Sequence, residues 1–272
     1  MSPQETTESE ATTDQSADST EPAGLEDVRM SLMEHLRELR RRVLFSLIAV
    51  FIAFGVCWFF VFEIFEFLQQ PLIIAAPEEH MAALHNQDLA EVFFTLLKTA
   101  GLAAVFVASP VVLFQIWKFV APGLYPNEKR AVIPFIFFGT FFFFLGAAFC
   151  YYLVIPLGYR FLFDFSAQLA DPVLMIESYF ALTIKLLFAF GLVFELPVVT
   201  YFLSAIGIIT HRTLIKQWRI AVVVAFVVAA VLTPPDVLTQ VLLAGPMILL
   251  YGVSIGVAWV QTRRRERRMT TP

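Results

Sequence analysis

One acidic residue stands where acids are costly. Glu195 lies in the stretch Tyr179 to Ile208, whose only other charge is Lys185. A carboxylate near the middle of a bilayer is disfavoured by roughly 2.5–3.5 kcal/mol on insertion scales. Pro197 follows two residues later, and its missing N–H leaves the Val193 carbonyl without a helix bond. Side chain and backbone are thus both polar at one depth. Such a group can anchor a polar partner or act as a proton-sensitive switch; a carboxyl satisfied within its own bundle is the plainer alternative. Lys185 is ten residues away, about 15 Å along a helix, too far to pair with it. Cys57 and Cys150 fall in apolar stretches and read as buried free thiols. No Cys or His spacing fits a metal site, and no cofactor is expected.

A second pair of acids stands beside membrane segments. Ser31 to Arg42 reads SLMEHLRELRRR. Ser31 and Glu34 have capping-box spacing, so a helix is expected to start there. Leu32, Leu36 and Leu39 fall on one face. Glu38 sits among Arg37, Arg41 and Arg42, and taken alone ordinary self-pairing on a wet surface is the simpler explanation. Phe119 to Arg130 reads FVAPGLYPNEKR, a tight connection with two prolines and a glycine. Glu128 ends it just before a helix, where the helix dipole alone favours an acid. Brought together, Glu38 and Glu128 would suit two guanidinium groups, because Arg forks bind carboxylates bidentately.

The elements that must position these acids are membrane helices. The chain is 58% hydrophobic with 30 Phe, and its mean hydropathy of +0.74 is that of a membrane protein. Six apolar spans run from about Val43 to Leu68, Leu89 to Phe119, Ala131 to Phe161, Tyr179 to Ile208, Ile220 to Thr233 and Val237 to Val260. Crossing ~30 Å of hydrocarbon takes about 20 helical residues. The fifth span is too short, so spans five and six read as a short hairpin turning at Pro234-Pro235. With the N-terminus inside, the inner segments hold nearly all Lys and Arg outside the spans, and Arg160 is alone in the outer loops. Both termini are therefore expected in the cytoplasm. Gln69 to Asp88, with Pro71, and Leu162 to Ser178 read as outer loops. Residues 1–30 carry eight acids and one base, and read as a disordered acidic tail. They lack the charged start and short apolar run of a cleaved leader, so insertion is expected to rest on the first membrane helix. Residues 31–260 form the membrane domain, and 261–272 a basic cytosolic tail.

Four segments taken in order are specific: HLRELRRR at His35–Arg42, SPVVLFQIWKFVAPGLYPNEKR at Ser109–Arg130, FELPV at Phe194–Val198 and LTPPDVLTQ at Leu232–Gln240. With them the chain resembles TatC, the multi-spanning subunit of the twin-arginine protein translocase. The resemblance implies an all-α, glove-shaped bundle of six transmembrane helices with short helices five and six. It implies a plasma-membrane receptor for the twin-arginine signal peptides of folded proteins, driven by the proton gradient. TatA-type and TatB-type single-span partners, and self-association in the complex, come with it. The family's signal-binding glutamates fall on Glu38 and Glu128, and His35, Arg40 and Phe119 match positions near that site. The family's intramembrane glutamate falls on Glu195. Thr233, Asp236 and Gln240 look like the patch that docks single-span partners, and Pro71 matches an outer-loop proline.

Size limits what one copy can do. A six-helix bundle has no room for a channel passing a folded domain about 30 Å across, so assembly with other subunits in the bilayer is required. An ion-coupled small-solute transporter is the alternative reading, with Glu195 and Lys185 as coupling groups. The missing internal repeat and the single midplane acid count against it. No nucleophile motif or paired intramembrane acids point to an enzyme, and no nucleic-acid partner is expected.

Overall fold

The computed structural model describes the backbone of residues 23–75, 85, 88–120, 132–166, 174–233 and 237–270. It divides into two compact units, Met1–Arg41 and Arg42–Pro272.

In the first unit the described residues are helical from Ala23, where α1 (Ala23–Phe59) begins. The capping box placed that start at Ser31, which instead lies inside the helix. Residues 23–30, AGLEDVRM, are rich in strong helix formers, and Glu26 and Asp27 stand early in the helix, where its dipole favours acids. Residues 1–22 of the acidic segment lie outside the described residues.

The second unit is a helix bundle. Its elements are α2 (Val61–Ala75), α3 (Leu89–Val120), α4 (Val132–Phe149), a π turn (Cys150–Val154), α5 (Ile155–Ser166), α6 (Ile176–Phe194), α7 (Leu196–Ala205), α8 (His211–Lys216), α9 (Trp218–Leu232) and α10 (Val237–Thr270). Among the described residues, five segments are long and apolar enough to cross a bilayer: Met33–Phe59, Ala90–Phe119, Ile136–Ser166, Ile176–Ala205 and Thr239–Arg263. The 15-residue α9 reaches only about 22 Å, as the short fifth span required. The sixth helix is not short. α10 runs for 34 residues, so the basic segment expected as a tail is helical as far as Thr270. Residues 261–270 contain neither Gly nor Pro to stop it.

Three expected spans are interrupted. The first ends at Phe59, closed by a tight Phe60 N–H bond to the Cys57 carbonyl at 3.1 Å, and α2 follows as a separate helix. Hydropathy hides this break because every residue from Cys57 to Phe62 is apolar. The third span widens into the π turn just before Pro156, where the Ile155 N–H reaches back to the Cys150 carbonyl. A proline one step on cannot donate an α-helical bond, and a π turn absorbs the mismatch. The fourth breaks at Glu195, between α6 and α7.

Pro71 lies inside α2 and is buried, not in an outer loop. A helical proline deprives the carbonyl four residues earlier of its donor. For Pro71 that carbonyl is Phe67's, and the Tyr151 hydroxyl donates to it at 2.6 Å. The Tyr179 hydroxyl donates to the adjacent Leu68 carbonyl, also at 2.6 Å. Pro110 in α3 repeats the pattern, with the Ser109 hydroxyl donating to the Phe106 carbonyl at 2.7 Å. Hydroxyls thus replace missing backbone donors where no water competes.

The core centres on α6. Tyr179, Phe180 and Phe190 are fully buried there, and Phe180 stacks on Phe65 of α2 at 4.2 Å. α4 approaches α6 so closely that a Cβ on Gly146 would stand 2.5 Å from the Phe190 carbonyl oxygen. Against α3, α1 packs through the small residues Ala53, Ala104 and Ala108. At the other end, His85 pairs by backbone with Leu174 and Ile176. There Lys98 meets Glu177 at 2.9 Å, and Glu91 accepts the Glu177 N–H.

Candidate functional site

α1 carries His35, Glu38 and Arg40. Three residues apart, His35 and Glu38 share a face, with Glu38 the more sheltered and Arg40 exposed. Phe119 ends the last turn of α3, half-buried, and its neighbour Lys118 lies over the Phe114 ring at 5.6 Å. Glu128 falls within residues 121–131 and Asp236 within 234–236, both outside the described residues.

Glu195 is positioned by the interruption of the fourth span. Its N–H bonds to the Leu192 carbonyl at 3.2 Å, a tight turn, and its own carbonyl starts the next helix by accepting from Val199 at 2.9 Å. Pro197 therefore lies in the first turn of α7, where a missing N–H costs nothing. The sequence pair Glu195–Pro197 is thus a helix restart that turns one carboxylate inward.

The glutamate is only 7% exposed. Its carboxylate rests on α4 at Gly139, where a Cβ would come within 3.3 Å of one oxygen and 3.4 Å of the other, with Leu113 of α3 at 3.4 Å. Any larger residue would push the carboxylate away. Both oxygens lack a hydrogen-bond partner among the described residues, as do the side-chain oxygens of Thr140, beside Gly139, and of Gln115, two residues beyond Leu113. Burying an unpartnered carboxyl is costly, so this seat favours whatever donor can reach it. Lys185 is exposed and does not pair with it among the described residues.

At the end of α9, the Thr233 hydroxyl donates to the Ala229 carbonyl at 2.8 Å. The Gln240 amide donates to the Phe226 carbonyl at 3.0 Å, tying α10 to α9. Thr233 thus closes α9, and Gln240 lies against α9 from the first turn of α10. Sequence reasoning did not find Gly139 beneath Glu195, nor the tyrosines over α2. The signal for the tyrosines was available, because a proline at helical register implies an orphan carbonyll four residues earlier. Gly139 gives no such signal, since its role depends on which helix faces α6. Among the described residues, no group of three or more His, Cys, Asp or Glu side chains could hold a metal ion.

Five long apolar helices, one short one and a carboxylate seated at a helix break define a multi-spanning helical membrane protein. Residues 34–246 match the family model described as Sec-independent protein translocase protein (TatC). The protein of that name from Campylobacter jejuni is 44% identical over 227 residues, covering 82% of this chain and 91% of its own. Its counterpart from Aquifex aeolicus is 41% identical over 239 residues, covering 87% and 98%. A crystal structure of the twin-arginine translocase receptor TatC superposes with a TM-score of 0.77 at 41% identity, covering 84% of this chain and all of that one. The chain belongs to the TatC family of protein translocase components. That membership sets aside the small-solute transporter reading, and the family's translocase role is not an enzymatic one.

Proposed function

We propose that this chain is the signal-binding receptor of a twin-arginine translocase. The likeness to the whole length of a solved receptor of that kind, over 84% of this chain, supports the reading. Glu38, on α1, and Glu128, in the connection after α3, receive the paired arginines of the signal, flanked by His35, Arg40 and Phe119. Two carboxylates presented to two guanidinium forks give charge-assisted, bidentate bonds that lysines cannot reproduce. Such bonds also recognise the leader without contacting the folded cargo.

Glu195 offers a buried acceptor to a polar group on a signal or partner helix. Thr233, Asp236 and Gln240 form the docking patch for TatA-type and TatB-type single-span proteins, and Pro71 fixes the outer end of the bundle. Residues 31–260 carry these functions between the acidic segment 1–30 and the basic segment 261–272. The protein sits in the plasma membrane with both termini in the cytoplasm, as the lysine and arginine distribution favours, and associates with further copies of itself. Photo-crosslinking in membranes from a residue beside the paired arginines of the signal tests the reading. The signal is expected to crosslink to this chain, and to lose the crosslink with Glu38→Ala or Glu128→Ala; an undiminished crosslink in both variants overturns the acid-pair site.

A further inference from the structure

Lys185 is the only charge between Glu177 and Glu195, and neither the signal acids nor the α9–α10 residues use it. Along α6, Tyr179, Phe180, Thr183, Leu186 and Phe190 are buried on one side. Lys185 lies on the opposite side and is exposed, with Ser178, Phe188 and Leu192 on the same stripe.

Its depth follows from the register of α3 beside α6 and α7. Glu91 accepts the Glu177 N–H at 2.9 Å, Leu102 and Leu187 line one cavity, and the Trp117 ring lies 3.8 Å from that of Phe202. These pairs keep nearly one offset in sequence, so Lys98 of α3 starts at nearly the depth of Lys185. The two lysines differ in what meets them. Lys98 reaches Glu177 at 2.9 Å. Lys185 makes no ion pair or hydrogen bond among the described residues. It lies eight residues deeper than Glu177, about 12 Å along the helix. Toward that end its own face carries Leu182, Ala181 and Ser178, none of them acidic.

An ammonium at such a depth is costly in hydrocarbon unless a counter-charge meets it. Glu195 is buried, and it is ten residues away along the chain. Lipid phosphates lie at the membrane surface. A carboxylate held at the depth of Lys185 has to ride on backbone whose polar groups are satisfied within lipid, which means a helix. The surface around Lys185 suits one. Ser178, Ala181 and Ala189 are small and let a second helix approach closely. Phe188 and Leu192 offer exposed apolar contact. We propose that the stripe from Ser178 to Leu192 seats a transmembrane helix of another protein, one that carries an Asp or Glu level with Lys185. Charge complementarity selects that partner, and the seat uses neither the signal acids nor Thr233, Asp236 and Gln240.

The test is energy transfer in phosphatidylcholine vesicles, between the full chain labelled at its C-terminus and acceptor-labelled transmembrane peptides of leucine and alanine. One peptide carries Glu at the spacing from its end that Lys185 has from Glu177; a second carries Gln there, and a third Lys. Wild type is expected to bind the Glu peptide about fivefold or more tighter than the Gln peptide. Lys185→Gln should lose that preference, Lys185→Arg should keep it, and Lys185→Glu should transfer it to the peptide with Lys. Lys185→Gln should still bind a twin-arginine signal, which separates a failure here from a failure of the receptor reading. Equal affinity of wild type for the Glu and Gln peptides overturns the proposal, whether lipid phosphate, a second copy or an acid of this chain already neutralises the lysine. So does a preference for Glu that survives in Lys185→Gln.

Discussion

The hydroxyl over α2 can be weighed by a double-mutant cycle. Pro71 removes the donor that would serve the Phe67 carbonyl, and Tyr151 supplies one at 2.6 Å. Side-chain hydrogen bonds in membrane proteins average about 0.6 kcal/mol and reach about 1.7. Leaving a buried carbonyl with no donor moves the cost toward about 1–3 kcal/mol. Tyr151→Phe keeps the 4.5 Å stack on Phe67 and removes only the hydroxyl, so a loss of about 1.5 kcal/mol is expected. Pro71→Ala restores an N–H four residues after Phe67. In that background Tyr151→Phe should cost about 0.5 kcal/mol or less, a coupling near 1 kcal/mol. Tyr179 is the internal control. Its hydroxyl serves Leu68, whose carbonyl is four residues from Leu72, a residue that keeps its own N–H. Pro71→Ala should therefore leave the cost of Tyr179→Phe unchanged. Denaturant unfolding of the four detergent-solubilised proteins measures the cycle. Additive effects of Tyr151→Phe and Pro71→Ala would falsify the replacement of one donor by the other.

Gly146→Val is expected to lower stability by about 1–3 kcal/mol or more, because its Cβ meets backbone that cannot move aside. Gly55→Ala, where a Cβ meets nothing within 4 Å, should be neutral or slightly stabilising in the same unfolding assay. Glu195→Gln keeps the shape on Gly139 and removes the ability to ionise. Export in membrane vesicles should fall while the protein still inserts, and normal export would dismiss the charge as part of the mechanism. Glu128→Lys should bind a twin-arginine signal more weakly than Glu128→Ala, since it repels the guanidiniums; equal binding in a pull-down would argue for a purely structural residue.

Hydropathy located the membrane segments, because a span needs only length and apolar composition. It could not locate the breaks. Cys57 to Phe62 is uniformly apolar, so nothing in residue type marks the end of α1 at Phe59. Proline was only half legible. Pro197 announced a freed carbonyl, yet whether the chain would bend, restart or borrow a hydroxyl depended on neighbours distant in sequence. Pro71 read as a loop residue because Tyr151, 80 positions away, is what makes it tolerable in a helix. Glu195 was legible as an intramembrane acid from its surroundings in sequence, whereas its seat on Gly139 required knowing that α4 faces the α6–α7 junction. The basic end of α10 read as a tail because charge signals solvent, although a charged segment without Gly or Pro continues a helix readily.

The acid pair at Glu38 and Glu128 is tested most directly by equilibrium binding of signal peptides to the purified membrane complex, comparing a leader with two arginines to the same leader with two lysines. Charge is equal in the two peptides, so only the bidentate geometry differs. Hydrogen bonds to charged groups are worth about 1.5–3 kcal/mol each, so the arginine leader is expected to bind at least about tenfold tighter, and Glu38→Ala should abolish that preference. Equal affinity for the two leaders, or a preference that survives without Glu38, would contradict recognition by paired carboxylates.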